Sequence, residues 1–215
     1  MLDIIDGRVL GALIEKQLTT PDIYPLSLNS LTSACNQSTA REPVMSLSGG
    51  DIEESLARLK EQRLARFVHP SHGRSVTKYR QVVDENLGLE PGELAVLGVL
   101  LLRGPQTSGE LRTRTERMHG FVNVAEVEQV LHVLASRPEP MAERLERHPG
   151  QKESRWRQLV ADEPEPIAGL NAGSGGFGDG AAGPGRASAL ATLEGRVATL
   201  EERIVRLEAA LADLL

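Results

Sequence analysis

An internal repeat constrains this 215-residue chain more than any other feature. Val9-Leu-Gly-Ala-Leu13 returns as Val96-Leu-Gly-Val-Leu100. Ser48-x-x-Asp51-Ile52-Glu53 returns as Asn123-x-x-Glu126-Val127-Glu128, and the match runs on through Leu56 and Leu131, then Leu59 and Leu134. Lys78-Tyr-Arg-Gln-Val82 returns as Arg155-Trp-Arg-Gln-Leu159. The order is the same in both copies, so the chain holds two related units of domain length.

Each unit carries the same succession of signals. The first helix shows apolar residues at helical spacing: Ile5, Val9, Ala12 and Leu13 in one copy, Leu94, Leu97, Leu100 and Leu101 in the other. A second helix is expected near Ser27–Asn36 and near Thr107–Met118. The third opens on Ser48 or Asn123, both good N-caps, with an acid three residues on. Two strands follow, near Leu64–Val68 and Val76–Val82, and near Met141–Leu145 and Ser154–Val160. They are separated by turns containing Pro and Gly. Three helices and a hairpin spell a winged helix. The expected fold class is therefore α+β: two tandem winged-helix domains followed by a C-terminal coiled-coil helix. The boundaries read as 1–85, 86–161, a Gly/Pro-rich linker over 162–186, and a helix over 187–215.

Strand alternation assigns faces within each hairpin. Tyr79 and Trp156 occupy equivalent places and are expected to point inward. Lys78 and Arg80, and likewise Arg155 and Arg157, flank them and are expected to point outward.

The linker holds eight glycines and three prolines, the composition of a flexible tether. Beyond it, Leu190, Leu193, Val197, Leu200, Ile204, Leu207, Leu211 and Leu214 alternate spacings of three and four. With Leu190 at a, branched residues fill the central a positions and Leu fills every d, which favours a parallel dimer. In that pairing Arg196 at g meets Glu201 at e of the partner, and Arg203 meets Glu208. The segment is ~39 Å long at 1.5 Å per residue. The same apolar stripe also suits a helix folded back on its own body.

Charge and cysteine content narrow the function classes. A net charge of −6 argues against indiscriminate coating of nucleic acid. The excess is uneven: residues 1–85 carry 10 basic and 11 acidic residues, residues 86–162 the same, and residues 163–215 carry 4 and 8. Each repeat unit is thus nearly neutral. A single cysteine, Cys35, forms no internal disulfide and points to a reducing, cytoplasmic compartment. No run approaches a membrane span, and the acidic start is unlike a signal peptide.

The runs Leu13-Ile-Glu-Lys-Gln17, Thr19-Thr-Pro21, Tyr24-Pro-Leu-Ser27, Ala34-Cys-Asn-Gln37 and Arg41-Glu-Pro-Val-Met45 carry a family resemblance. So do Val76-Thr-Lys-Tyr79, Leu100-Leu-Leu-Arg-Gly104, Gln106-Thr107 and Gly109-Glu-Leu-Arg112. Over about residues 5–160, and again in the C-terminal heptads, the chain resembles the YceH-like family of uncharacterised bacterial proteins. The resemblance implies a tandem winged-helix fold with a C-terminal helix, and it brings no catalytic residue with it.

No catalytic, cofactor or metal constellation is recognisable. Cys35 lies beside apolar Leu31 and Ala34 without a histidine in the same run, the setting of a core residue rather than a nucleophile. His69, His72 and His148 sit in or beside the turns, without Cys or acid at ligand spacing. Gly173–Gly180 lacks the Lys-Ser/Thr ending of a phosphate loop. The expectation is a non-enzymatic protein without cofactor.

The leading functional expectation is binding of double-stranded DNA through basic wings, with a regulatory role and as a dimer. The candidate contacts are Arg74, Lys78 and Arg80 on the first wing, Lys152, Arg155 and Arg157 on the second, and Arg112 and Arg114 on the second helix of the second unit. Both third helices open with acid, which opposes ordinary insertion of that helix into the major groove. The rival expectation follows from the same acids: a scaffold that docks another protein and makes no DNA contact. The stretch from Ala34 to Met45 reads either as a binding loop or as a structural crossing.

Overall fold

Side chains at the helix starts set the boundaries. The computed structural model describes residues 1–69, 76–147 and 153–163, all within one compact unit, Met1–Pro166. Asp3 caps α1 (Ile4–Thr19) by accepting from the Asp6 backbone N–H at 2.7 Å. Ser27 caps α2 (Leu28–Cys35), and Ser48 with Asp51 forms the capping box of α3 (Gly49–Glu61). A short α4 (Val83–Leu87) connects the halves. The second half repeats the order with α5 (Pro91–Arg103), α6 (Ser108–Thr115, capped by Thr107) and α7 (Val124–Ala135, capped by Asn123). The described residues thus form an α+β fold of seven helices and two small antiparallel sheets. None of these helices is long and apolar enough to cross a membrane.

The sheets are hairpins. In the first half β2 (Ala65–Val68) pairs with β3 (Lys78–Gln81), and β1 (Leu26–Ser27) adds to the other side of β3. In the second half β4 (Ala142–Arg144) pairs with β5 (Trp156–Gln158), and an isolated bridge from Gln106 to Trp156 stands where β1 stands in the first. The alternation expected from sequence is present: Tyr79 and Trp156 are buried, and Lys78 is exposed. A buried glutamine ends each hairpin. Gln81 accepts from the Val83 N–H at 2.6 Å, and Gln158 accepts from the Val160 and Ala161 N–H groups at 2.7 Å. Each glutamine thereby satisfies backbone donors that a buried turn would otherwise strand.

Helices α1 and α5 pack on each other and merge the two halves into one core. Every residue from Asp6 to Ile14 is buried, as is every residue from Gly92 to Leu102. A stretch covered on all sides has no polar stripe, and residues 9–14 and 94–102 carry no charged or polar side chain. The repeated glycines permit the approach. A Cβ on Gly98 would lie 2.8 Å from Ile14 Cγ2, and one on Gly11 would lie 2.9 Å from Leu102 Cγ. The ends of the described body are also tied: the Leu2 N–H donates to the Val160 carbonyl, and the Asp162 N–H donates back to Leu2.

The stretch between α2 and α3 is a structural crossing. Arg41 is buried and donates to Glu15 through both terminal nitrogens, at 3.2 and 2.6 Å, and to the Ala34 carbonyl at 3.0 Å. The buried Arg8 donates to the carbonyls of Cys35 and Pro43. The Glu42 N–H donates to Leu102 of α5 at 2.8 Å, so the same stretch also clasps the second half. The heptad residues Leu190, Leu193, Val197, Leu200, Ile204, Leu207, Leu211 and Leu214 lie outside the described residues, as does most of the linker.

Candidate nucleic-acid interface

Hairpin register decides which cations share a face. Arg66 stands opposite Arg80, and Val68 opposite Lys78, on the side away from the core. Between them, on the core side, Phe67 meets Tyr79 edge to face with ring centroids 5.0 Å apart. Two like charges directly opposite each other destabilise a strand pair. Glu85 of α4 resolves this by pairing with both, at 3.3 Å from Arg66 and in direct contact with Arg80. One carboxylate thus serves two guanidinium groups. Among the described residues, Lys78 has no carboxylate within pairing distance, and neither do Lys60 at the end of α3 and Arg63 just after it.

The second hairpin is arranged differently. Arg155 donates to Glu110 at 3.0 Å and to the Pro105 carbonyl at 2.8 Å. Arg157 faces Glu143 across the strand pair and bonds to it. Arg114 lies 3.8 Å from the same Glu110. Arg112 donates to the Val122 carbonyl at 3.3 Å. Arg74 and Lys152 fall outside the described residues. Of the candidates from the sequence, the structure gathers Lys78 and Arg80 on one face, pairs Arg157 with Glu143 and lets Arg155 and Arg114 share Glu110. Arg66 and Glu85 are the residues that sequence reasoning missed. Carrying the alternation of Lys78–Gln81 back onto Ala65–Val68 would have placed Arg66 in the outward set.

The acids at the starts of α3 and α7 have two roles. Asp51 accepts from Ser48, and those hydrogen bonds hold its carboxyl below the ordinary range. Glu126 accepts from the Val122 N–H at 2.8 Å. Glu53, Glu54 and Glu128 are exposed. The α3 surface that a groove-binding helix would present therefore carries exposed carboxylates.

Cys35 is buried, and burial pushes its thiol up to about 12, so it is protonated and unsuited to nucleophilic work. His132 packs edge to face on Trp156 at 5.3 Å, and His69 lies 3.4 Å from the Thr77 hydroxyl; His72 and His148 lie outside the described residues. The described residues contain no group of three or more metal-ligating side chains.

Residues 2–151 match a family model described as "Protein of unknown function, DUF480". A UPF0502 protein of Geobacter sulfurreducens is 52% identical over 165 residues, covering 77% of this chain and 74% of that one. One of Geotalea daltonii is 52% identical over 167 residues, covering 78% and 76%. One of Klebsiella pneumoniae is 48% identical over 167 residues, covering 75% and 76%.

Proposed function

The chain belongs to the DUF480 family, and for this member we propose a non-enzymatic, regulatory role in which two tandem winged-helix units bind duplex DNA. The observation that carries the proposal is the gathering of Arg66, Lys78 and Arg80 on the outer face of one hairpin, where among the described residues a single carboxylate pairs with them. The repeated order of three helices and a hairpin supports the winged-helix reading. The exposed acids of α3 argue for a wing-led mode, in which the hairpin lies along the phosphate backbone and α3 stays out of the major groove. Such contacts position a protein on DNA and carry little sequence information. The heptads of residues 187–215 supply a parallel homodimer in this proposal, doubling the number of wings.

Duplex binding measured at low salt, where electrostatic attraction is strongest, is the direct test. Three phosphate contacts give a slope of about −3 per protomer in log affinity against log salt. A protein that binds no duplex at low salt ends the DNA reading. Light scattering tests the dimer: deletion of residues 187–215 is expected to reduce the species to a monomer, and an unchanged mass would remove the coiled coil from the proposal.

The paired arginines of the second hairpin favour a second reading for that half, a surface that docks another protein. Complex formation that survives complete nuclease digestion would support it.

A further inference from the structure

Beside the hairpin, the last turn of α3, strand β2 and α4 enclose a groove of about 470 Å³. Lys60, Arg63, Arg66, Phe67 and Asn86 line it. Its cations are less committed than the arginines that tie this half together. Arg58, one turn earlier on α3, is committed to Asp3 and Asp6. Arg41 is committed to Glu15. Lys60 instead lies over the Phe67 ring at 4.6 Å, and Arg66 shares its one carboxylate with Arg80.

Arg63 supplies an independent observation. It adopts φ +60, the left-handed region. Its N–H donates to the Lys60 carbonyl, and the Leu64 N–H donates to Leu59. That is the Schellman closure of a helix, whose left-handed position is ordinarily glycine or asparagine. A side chain with a Cβ is disfavoured there. The chain therefore keeps a strained residue at the place that delivers a guanidinium to the groove, the kind of strain that accumulates at binding sites. The negative end of the α3 dipole opposes an anion here, but its half charge is outweighed by Lys60 and Arg63 together with Arg66, whose charge Glu85 only partly offsets.

We propose that this groove is a phosphate seat, and that Glu85 is the internal anion that a phosphate displaces from Arg66. The inference deepens the DNA reading by naming where a backbone phosphate sits. A phosphodiester carries the same single charge as the Glu85 carboxylate and offers the same paired oxygens to a guanidinium. Glu85 therefore competes with the ligand, and its removal strengthens binding.

The test uses the full chain and its E85Q and R63G variants, each titrated with inorganic pyrophosphate and with duplex DNA, and each melted. E85Q is expected to bind both ligands about 3–10-fold more tightly, since one competing charge is gone. R63G is expected to lose a similar factor while its Tm rises by about 2–4 °C, because glycine relieves the left-handed strain. A merely structural Arg63 would show the rise in Tm without the loss of affinity. Pyrophosphate binding that follows this pattern without duplex binding keeps the seat and ends the DNA reading. Duplex binding that weakens in a K78E variant but ignores both E85Q and R63G keeps the DNA reading and overturns the seat. If neither variant changes the response to either ligand, the cations merely complement the helix end and the seat is wrong.

Discussion

The two hairpins share a register and a buried aromatic, yet they balance charge in opposite ways. In the second half Arg157 has Glu143, and Arg155 has Glu110, with Arg114 of α6 only at its edge, 3.8 Å away. In the first half Arg66 and Arg80 divide one Glu85, and among the described residues Lys78, Lys60 and Arg63 have none. Net charge hides this, because both halves sum to nearly the same value. The inward residues recur in both halves while the outward position facing the arginine differs, Arg66 in one and Glu143 in the other, and surface pairs of this kind contribute little to stability. A second difference lies deeper. The first half contains a buried ion pair, Glu15 with Arg41, whereas each guanidinium–carboxylate pair named on the second hairpin and on α6 is partly exposed.

The largest effect is expected where that second difference is sharpest. Arg41 has no exposed side-chain surface, and Glu15 is 16% exposed. Replacing Glu15 with Ala strands a buried guanidinium and is expected to cost about 3–5 kcal/mol in chemical denaturation. Glu110→Ala in the second half, where Arg155 remains 30% exposed but Glu110 also accepts from the Thr107 N–H in the α6 capping box, is expected to cost about 1–2 kcal/mol. Equal losses would break the contrast. The pH dependence follows from the same pair. Burial works to raise the Glu15 carboxyl, but hydrogen bonds and charge from Arg41 win, and it ends below its ordinary value of 4.5. A depressed carboxyl contributes stability that is fully present above that ordinary value and is lost as pH falls through the folded one. The native protein should therefore lose stability below about pH 4.5 more steeply than Glu15→Ala does.

A smaller effect is expected at the contact the halves share equally. Gly11→Ala and Gly98→Ala each push a methyl within 3 Å of a buried side chain on the facing helix. Overpacking of this kind costs about 1–3 kcal/mol, and the better helix propensity of Ala returns up to about 1 kcal/mol. Both variants are expected to melt lower, by similar amounts. A large loss at one and none at the other would show that one helix yields where the other does not.

Much of this was legible in the sequence, and the gaps have physical reasons. Ser48 and Asn123 are caps because their oxygens accept from N–H groups within three residues, a local interaction that spacing reveals. The hairpins followed from alternation, and Tyr79 and Trp156 from their equivalent places. The glycines of the repeat were visible, but their reason lies on another helix almost ninety residues away. Gln81 and Gln158 recur in the repeat, but nothing local shows that they are buried and satisfy the chain as it leaves each hairpin. The candidate cations were legible as a set and not as individuals. Whether an arginine is neutralised depends on carboxylates such as Glu85, Glu110 and Glu143, which only the folded chain brings within reach.

The charge contrast between the hairpins yields the smallest and most discriminating prediction. Lys78→Glu and Arg157→Glu are the same chemical change at neighbouring places in the repeated pattern. Lys78 is exposed, and among the described residues it lacks a carboxylate, so under the proposed wing-led mode its reversal removes one phosphate contact. The expected loss is about tenfold in duplex affinity near 0.1 M salt, with the salt slope reduced by about 1. Arg157 already faces Glu143, so most of its charge is spent inside the protein. Reversing it is expected to leave the slope unchanged and to lower the melting temperature slightly, because two carboxylates then oppose each other across the strands. If both reversals reduce the slope equally, local pairing does not decide which arginines reach phosphate, and both wings bind. If Arg157→Glu reduces it and Lys78→Glu does not, the second half is the DNA-facing one, and the surplus charge of the first serves some other anion.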